Sequence, residues 1–74
     1  MIIFSDHAEE RSQERKIPKR LILETVAFPE KVIETFRGRK LHRKRFGDKI
    51  LEVVTITEGA RITIITQYWL DLKE

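Results

Sequence analysis

Residues 50–70 read ILEVVTITEGARITIITQYWL, which is two apolar, β-branched runs on either side of a turn signal. The runs 50–57 and 60–70 have the composition of β-strands, because branched and aromatic side chains pack well on a pleated surface. Glu58-Gly59 between them is typical of a two-residue hairpin loop. We therefore predict a long β-hairpin here, with the rest of the chain folded around it.

Two further strands are predicted immediately before this hairpin. Residues 32–36 read VIETF, and residues 40–46 read KLHRKRF. Gly38 and the Gly47-Asp48 pair are typical turn residues and follow these two runs. Four strands joined by such short turns predict an antiparallel meander.

Residues 6–15 predict a first helix ahead of the meander. Ser5 or Asp6 is a candidate N-cap, and Asp6 followed by Glu9 has the spacing of a capping box. An acidic first turn also suits the positive end of the helix dipole. The helix is therefore expected to begin immediately after the first apolar residues.

Residues 18–28 predict a second helix with a broad apolar stripe. Pro18 is suited to its first turn, and Pro29 ends it. The predicted fold class is therefore α+β, with two N-terminal helices packed on a four-stranded antiparallel meander. Residues 1–5 are a candidate for an additional short N-terminal strand.

The composition excludes several classes of protein. The chain has 74 residues, of which 41% are hydrophobic and 36% charged, so we predict one folded domain over residues 1–74. The absence of cysteine excludes disulfides, thiol nucleophiles and cysteine metal sites. The two histidines lack metal-ligand spacing, so neither a metal nor another cofactor is expected. There is no apolar run of about 20 residues and no signal peptide, so we expect a cytoplasmic protein without a membrane partner.

Two helices can cover only one face of a four-stranded sheet. Strict alternation along the last strand places Ile62 and Ile64 on one face, and Ile65 and Trp69 on the other. The uncovered face is therefore expected to present apolar side chains, with Ile65 or Trp69 among them. Such a face predicts a ligand, a protein partner or a second copy of the chain, the last giving a homodimer.

The basic residues are concentrated in one stretch. Residues 37–49 contain seven Lys and Arg against a single acidic residue, whereas the chain as a whole has a net charge of +3. Such a stretch attracts polyanions, and it is also typical of a solvated edge strand kept soluble by its charges. We expect these charges to be exposed, so that replacing Arg43, Lys44 and Arg45 with Ala leaves the fold intact.

The first helix has an unusual polar face. His7, Arg11, Glu14 and Arg15 follow one another at helical spacing, and Ala8 is the only clearly apolar residue. One interpretation is a functional face, since histidine is the side chain best suited to proton transfer near neutral pH. The alternative is a set of surface ion pairs, Glu14 with Arg11 and Glu10 with Arg15.

The last strand ends in two aromatic residues. Thr66 and Tyr68 share one face of this strand, and Gln67 and Trp69 share the other. Aromatic rings at the end of a sheet stack on nucleic-acid bases when arginines bind the neighbouring phosphates. The alternative is that Tyr68 and Trp69 complete a small core, which is the commoner role of aromatic residues.

These features together resemble a known family. The pattern is His7-Ala8-x-x-Arg11-x-x-x-Arg15, then Phe28-Pro29-Glu30, Gly38-Arg39-x-Leu41, and finally Ile62-x-Ile64-Ile65-Thr66-x-Tyr68-Trp69. It is similar to a family of small domains of uncharacterised function that is grouped with the RelE- and BrnT-like toxins of type II toxin–antitoxin systems. The resemblance implies a RelE-like α+β fold, an mRNA-cleaving activity without a metal, and inhibition by an antitoxin protein.

The resemblance also implies roles for individual residues. RNA cleavage of this kind needs groups that transfer protons and cations that stabilise the charged phosphorane. The expected catalytic residues are His7, Arg11, Arg15 and Tyr68. The expected RNA-binding residues are Arg39, Lys40, Arg43, Lys44, Arg45 and Thr66. The alternative function is a non-catalytic module that binds RNA or a protein through the basic strand and the free sheet face, and a cleft joining His7 to an arginine would favour catalysis over it.

Overall fold

The computed structural model describes residues 1–71 and contains two helices and one five-stranded mixed sheet. The predicted α+β class is therefore confirmed. The elements in chain order are β1 (Ile2–Phe4), α1 (Asp6–Glu14), α2 (Lys19–Ala27), β2 (Lys31–Glu34), β3 (Arg39–Phe46), β4 (Lys49–Glu58) and β5 (Arg61–Asp71). No helix within these residues is long and apolar enough to cross a membrane.

Helix α1 begins where its capping residues predict. Ser5 is the N-cap, and its Oγ accepts a hydrogen bond from the backbone N–H of Ala8 at 3.0 Å. The same hydroxyl donates to the carbonyl oxygen of Ile65 at 3.2 Å, so the cap also ties α1 to β5. After α1, Lys16 has a positive φ of 55° and turns the chain toward Pro18, the N-cap of α2.

The sheet has the strand order β1-β5-β4-β3-β2. Strands β2 to β5 pair antiparallel in chain order, whereas β1 pairs parallel with residues 62–64 of β5. The expectation of a purely antiparallel, four-stranded sheet is therefore wrong. Ile2–Phe4, within the candidate strand at residues 1–5, supply the fifth strand because the exposed edge of β5 offers backbone groups that an apolar segment can pair with.

A β-bulge in β5 changes which side chains face the helices. Val54 pairs with Thr66 but Thr55 pairs with Ile64, so Ile65 is an extra residue in the ladder. The alternation reverses there, and Trp69 joins Ile64 on the helix-covered face. The expectation that Trp69 lies on the free face is therefore wrong, because strict alternation does not hold across a bulge.

The hydrophobic core lies between the two helices and one face of the sheet. Its buried members are Ala8, Ile17, Ile22, Val26, Leu51, Val53 and Ile64. Trp69 packs against this cluster and meets Phe46 edge to face, with ring centroids 6.2 Å apart. We call the opposite surface of the sheet the open face. It carries alternate residues of each strand, among them Lys31, Ile33, Arg39, Leu41, Arg43, Arg45, Ile50, Glu52, Val54, Ile56, Thr66, Tyr68 and Leu70.

Candidate functional site

Three polar side chains form a row across the centre of the open face. Arg43 on β3 lies opposite Glu52 on β4, and Glu52 lies opposite Tyr68 on β5. The Nε of Arg43 donates to Oε1 of Glu52, and the hydroxyl of Tyr68 donates to Oε2. Residues directly opposite each other on antiparallel strands have Cβ atoms about 5 Å apart, so the register itself places these groups in contact.

The environment of Tyr68 favours its neutral form. Burial raises the pKa of Tyr68 to about 12, and the hydrogen bond to Glu52 and the charge of that carboxylate act in the same direction. The positive charges of Arg43 and Arg15 partly oppose this increase. At neutral pH the Tyr68 hydroxyl is therefore a donor that keeps its proton.

Arg15 reaches the same region from the first helix. It is the C-cap of α1, and its Nη1 donates to the carbonyl oxygen of Gln67 at 2.7 Å. Strand β1 pairs with β5 only as far as Ile64, so this carbonyl lies on a part of the β5 edge that β1 does not cover. Arg15 therefore binds the uncovered edge of β5 beside Tyr68. Arg43 lies on the opposite side of Tyr68, on β3, with β4 between them.

The basic strand β3 does not present all of its charges on one surface. Arg39, Arg43 and Arg45 point to the open face, whereas Lys40 and Lys44 lie on the helix-covered side with His42, as alternation predicts. The Nζ of Lys44 donates to the carbonyl oxygen of Phe28 at 2.9 Å, at the C-terminal end of α2. The expected RNA-binding residues of β3 are therefore divided between the two faces of the sheet, with Lys40 and Lys44 away from the three arginines.

Two of these side chains also hold the fold together. The side chain of Lys44 is only 20% exposed, and Arg43 is bonded to the buried Glu52. Arg43 and Lys44 are therefore less exposed than expected, so replacing them should cost stability, and the prediction that the triple replacement leaves the fold intact stays a prediction. Arg45 is exposed as predicted, and its Nε donates only to the nearby carbonyl oxygen of Gly47.

The structure does not bring His7 and Arg11 into this row. His7 is exposed in the first turn of α1, eight residues and therefore about 12 Å of helix away from Arg15. Arg11 forms an ion pair with Glu14 at 2.6 Å, which confirms one of the two predicted ion pairs. The other, between Glu10 and Arg15, is replaced by the bond from Arg15 to Gln67. No cleft joins His7 to an arginine, because residues 1–71 enclose no pocket.

Thr66 and His42 complete the set of candidate residues. Thr66 lies opposite Val54 on the open face, two residues before Tyr68. His42 is 8% exposed on the other side of the sheet, and its Nε2 is 3.0 Å from Oγ1 of Thr55. Among the described residues, no group of three or more His, Asp or Glu is arranged to hold a metal ion.

Glu52 is the residue that the sequence did not single out. It is the only acidic residue in the run 50–57, and it is 4% exposed at the centre of the row. A charged residue inside an apolar strand is a signal of a buried, paired group, since isolated buried charges are costly. Its partners lie 9 and 16 positions away along the chain, so the pairing depends on the strand register.

Comparison with known proteins identifies a family whose function is unknown. A family model described as a domain of unknown function (DUF4258) matches residues 4–69. Because the match covers most of the chain, the chain belongs to this family. No curated protein and no solved structure matches the chain. The family match supports the expected small-domain family and carries no link to the RelE- and BrnT-like toxins.

Proposed function

We propose that this DUF4258 domain binds single-stranded RNA on its open face, with Tyr68 at the centre of the contact. The observation that carries the proposal is the arrangement of Arg15 and Arg43 on either side of Tyr68. A ring that stacks on an unpaired base, flanked by guanidinium groups that bind phosphates, is a common arrangement in single-strand binding. An open sheet face without a pocket in residues 1–71 suits an extended ligand.

The remaining arginines of β3 extend this contact. Arg39, Arg43 and Arg45 lie on the open side of one strand, where residues two positions apart are separated by about 7 Å. Their charges form a line that an extended phosphate backbone can follow, with Thr66 available for a hydrogen bond beside Tyr68. The same line gives the proposal a measurable consequence, because phosphate contacts make binding depend on salt.

A second candidate function is metal-independent endoribonuclease activity, as the resemblance to toxins implies. The observation in its favour is a protonated Tyr68 between two cationic side chains. In this reaction the 2′-oxygen of RNA attacks the neighbouring phosphorus, and the bond from phosphorus to the 5′-oxygen breaks. Tyr68 would give its proton to the leaving 5′-oxygen, and Arg15 and Arg43 would stabilise the charged phosphorane.

For the cleavage reaction, the general base is less well supported than the general acid. A base must remove the proton of the 2′-hydroxyl at a distance of about 3 Å or through one water. His7 is the candidate from the sequence, but it lies two helical turns from Arg15. Binding is therefore the first proposal, and cleavage is the additional step that His7 and Tyr68 variants test.

The open face could also bind a protein, either an inhibitory partner or a second copy of the chain. Ile33, Leu41 and Val54 lie side by side on the open face, next to the polar row. A partner with apolar and acidic side chains would cover these residues and pair with the arginines, which describes an inhibitory protein such as an antitoxin. A second copy of the chain is the alternative occupant of this face.

Fluorescence anisotropy with a short labelled single-stranded RNA tests the binding proposal. The Arg39→Ala, Arg45→Ala double variant removes two exposed charges from the open face and leaves the Glu52 pairing in place. We expect weaker binding and a shallower dependence of log Kd on log salt, by about 0.7 for each phosphate that the variant no longer binds. Double-stranded RNA of the same sequence should bind more weakly, because paired bases do not stack on Tyr68.

The matched control is Arg20→Ala, which removes an exposed positive charge from α2 on the other side of the sheet. Its salt dependence should equal that of the parent. If the double variant and this control have the same slope as the parent, the open face is not the RNA site and the proposal fails.

A further inference from the structure

Glu52 has an unusual position for a carboxylate. It lies at the centre of the middle strand of the sheet, on the face that the helices do not cover, and yet it is 4% exposed. Its carboxylate is bonded to Arg43 and Tyr68, one on each of the two adjacent strands. The buried carboxylate of Glu52 is therefore bonded to two residues of the proposed RNA site.

Each carboxylate oxygen is committed to a different partner. Oε1 accepts from Nε of Arg43, and Oε2 accepts from the hydroxyl of Tyr68. A guanidinium carries five N–H donors, one on Nε and four on its two terminal nitrogens. The bond through Nε fixes the plane of the Arg43 guanidinium and leaves those four donors for other acceptors. No hydrogen bond from them is found within residues 1–71.

The second partner is held in a similar way. The bond from the Tyr68 hydroxyl to Glu52 restricts rotation of the ring, and the side chain is only partly buried. Lys31 extends the row on β2, opposite Arg43, so every charged neighbour of Glu52 in this row is basic. One carboxylate thus orients a cation and an aromatic ring on adjacent strands.

A gain in folding stability does not by itself explain the row formed by Arg43, Glu52 and Tyr68. Replacing a buried ion pair with well-packed apolar residues is often neutral or stabilising, because two charges must lose their hydration. The flanking positions of the open face already carry Val54 and Leu41, so apolar residues fit this surface. A charged row among them is better explained by what Arg43 and Tyr68 contact outside the chain.

We propose that Glu52 is a positioning residue, whose carboxylate holds the Arg43 guanidinium and the Tyr68 ring in the orientation that binds a phosphate and its neighbouring base. This inference rests on the proposed RNA binding for its ligand, but the orientation of Tyr68 is a property of the free protein. The bond from Tyr68 to Glu52, which fixes that orientation, can therefore be tested without RNA.

Tyr68 is the only tyrosine of the chain, so the tyrosinate absorbance near 295 nm reports this residue alone. In the parent we expect the Tyr68 pKa to be about 12, and in Glu52→Gln to fall toward the ordinary value of about 10. Circular dichroism recorded at each pH confirms that the titration is that of the folded protein. The matched control is Glu58→Gln, an exposed residue on the same face of β4, which should leave the Tyr68 titration unchanged.

RNA affinity provides the second measurement. Glu52→Gln and Arg43→Ala should each weaken binding about tenfold. The double variant should lose less affinity than the two single losses combined, because the effect of Glu52 that acts through Arg43 is already absent in Arg43→Ala, whereas the effect through Tyr68 remains. Glu58→Gln should bind RNA like the parent. If Glu52→Gln does not fold, Tyr68→Phe takes its place: it keeps the ring, removes its bond to Glu52, and should still weaken binding several-fold.

The outcomes separate the inference from the proposed function. If Arg43→Ala weakens RNA binding but Glu52→Gln changes neither the affinity nor the Tyr68 titration, Glu52 is not a positioning residue. If the Tyr68 titration falls as expected but no variant changes RNA affinity, the bond between Glu52 and Tyr68 exists but does not serve RNA binding, and the inference fails. Additive losses of affinity in the double variant would also overturn the inference, because they mean that Glu52 acts independently of Arg43.

Discussion

His42 is a buried residue whose charge state depends on the fold. Burial lowers the pKa of His42, and the positive charge of Lys40 lowers it further. Lys44 shares this face of β3, Glu34 lies opposite Lys40 on β2, and Nδ1 of His42 has no hydrogen-bond partner within residues 1–71. The folded protein therefore holds His42 neutral, and the unfolded chain takes up the proton more readily.

The pH dependence of stability follows from this difference. Because the unfolded state binds more protons below the ordinary histidine pKa of about 6.5, the free energy of unfolding should fall as the pH is lowered through that value. Urea unfolding at pH 7.5 and pH 5.5 measures the fall in the free energy of unfolding. This fall should be smaller in His42→Gln than in the parent. His7→Gln is the control, since His7 is exposed. An equal loss in the parent and in His42→Gln would show that other groups cause it.

If the protein cleaves RNA, Tyr68 is the candidate acid and His7 the candidate base. Tyr68 lies in the polar row of the open face, whereas His7 lies two turns from Arg15 on α1. We expect Tyr68→Phe to lower cleavage of a defined transcript about 100-fold, which is typical of losing one general acid. His7→Gln should remain close to the parent, and both variants should keep the parent melting temperature within a few degrees.

Two results would contradict this assignment. A 100-fold loss of cleavage in His7→Gln with little change in Tyr68→Phe would return the role to the first helix, as the polar face of α1 predicts from sequence. No cleavage by the parent, with or without ribosomes, would remove the enzyme function and leave RNA binding alone.

Helix α2 depends on a residue of the basic strand. Lys44 donates to the carbonyl oxygen of Phe28 and lies 3.7 Å from the Glu24 carboxylate, so a cation is placed at the negative end of the helix dipole. Lys44→Ala should lower the free energy of unfolding by about 1 kcal/mol, the usual value of such a hydrogen bond. Arg45→Ala is the matched control and should change stability by less than about 0.5 kcal/mol.

Denaturant unfolding of the two variants under the same conditions measures both values. Equal stability of Lys44→Ala and Arg45→Ala would mean that the end of α2 is held by other contacts, such as the bond from the Phe28 N–H to the Glu24 carbonyl.

The whole molecule has a small size and one strongly basic face. The Cα radius of gyration is 11.7 Å, close to the value of about 11 Å for a compact chain of this length. In a symmetric dimer through the open face, Arg39, Arg43 and Arg45 of the two copies would approach one another. Such like-charge contacts oppose association, so we expect the isolated chain to be a monomer.

Sedimentation velocity over a range of concentrations tests this expectation. RNA added to the monomer should give one complex of higher mass. A dimer that RNA dissociates would instead establish the open face as the contact between two copies. A dimer that survives RNA binding would place the contact elsewhere, for example at the exposed edge formed by β2 and the exposed Val32 and Phe36.

The sequence by itself determined the local structure of this protein. The predicted helices 6–15 and 18–28 differ from α1 and α2 by one residue at most at each end. Thr66 and Tyr68 share a face, as do Arg43 and Arg45, as their spacing predicts. These features follow from helix periodicity, strand alternation, caps and turns, which all act over a few neighbouring residues.

Only the tertiary structure decided which of these side chains meet. β1 pairs with a strand about sixty residues later, and the bulge at Ile65 moves Trp69 into the core. Lys44 reaches α2, and Arg15 reaches the edge of β5. Buried Glu52 is bonded to Arg43 and Tyr68 from two other strands. Each of these contacts depends on packing between segments far apart in the chain and on the strand register, and a bulge such as that at Ile65 changes the register in a way that strict alternation does not predict.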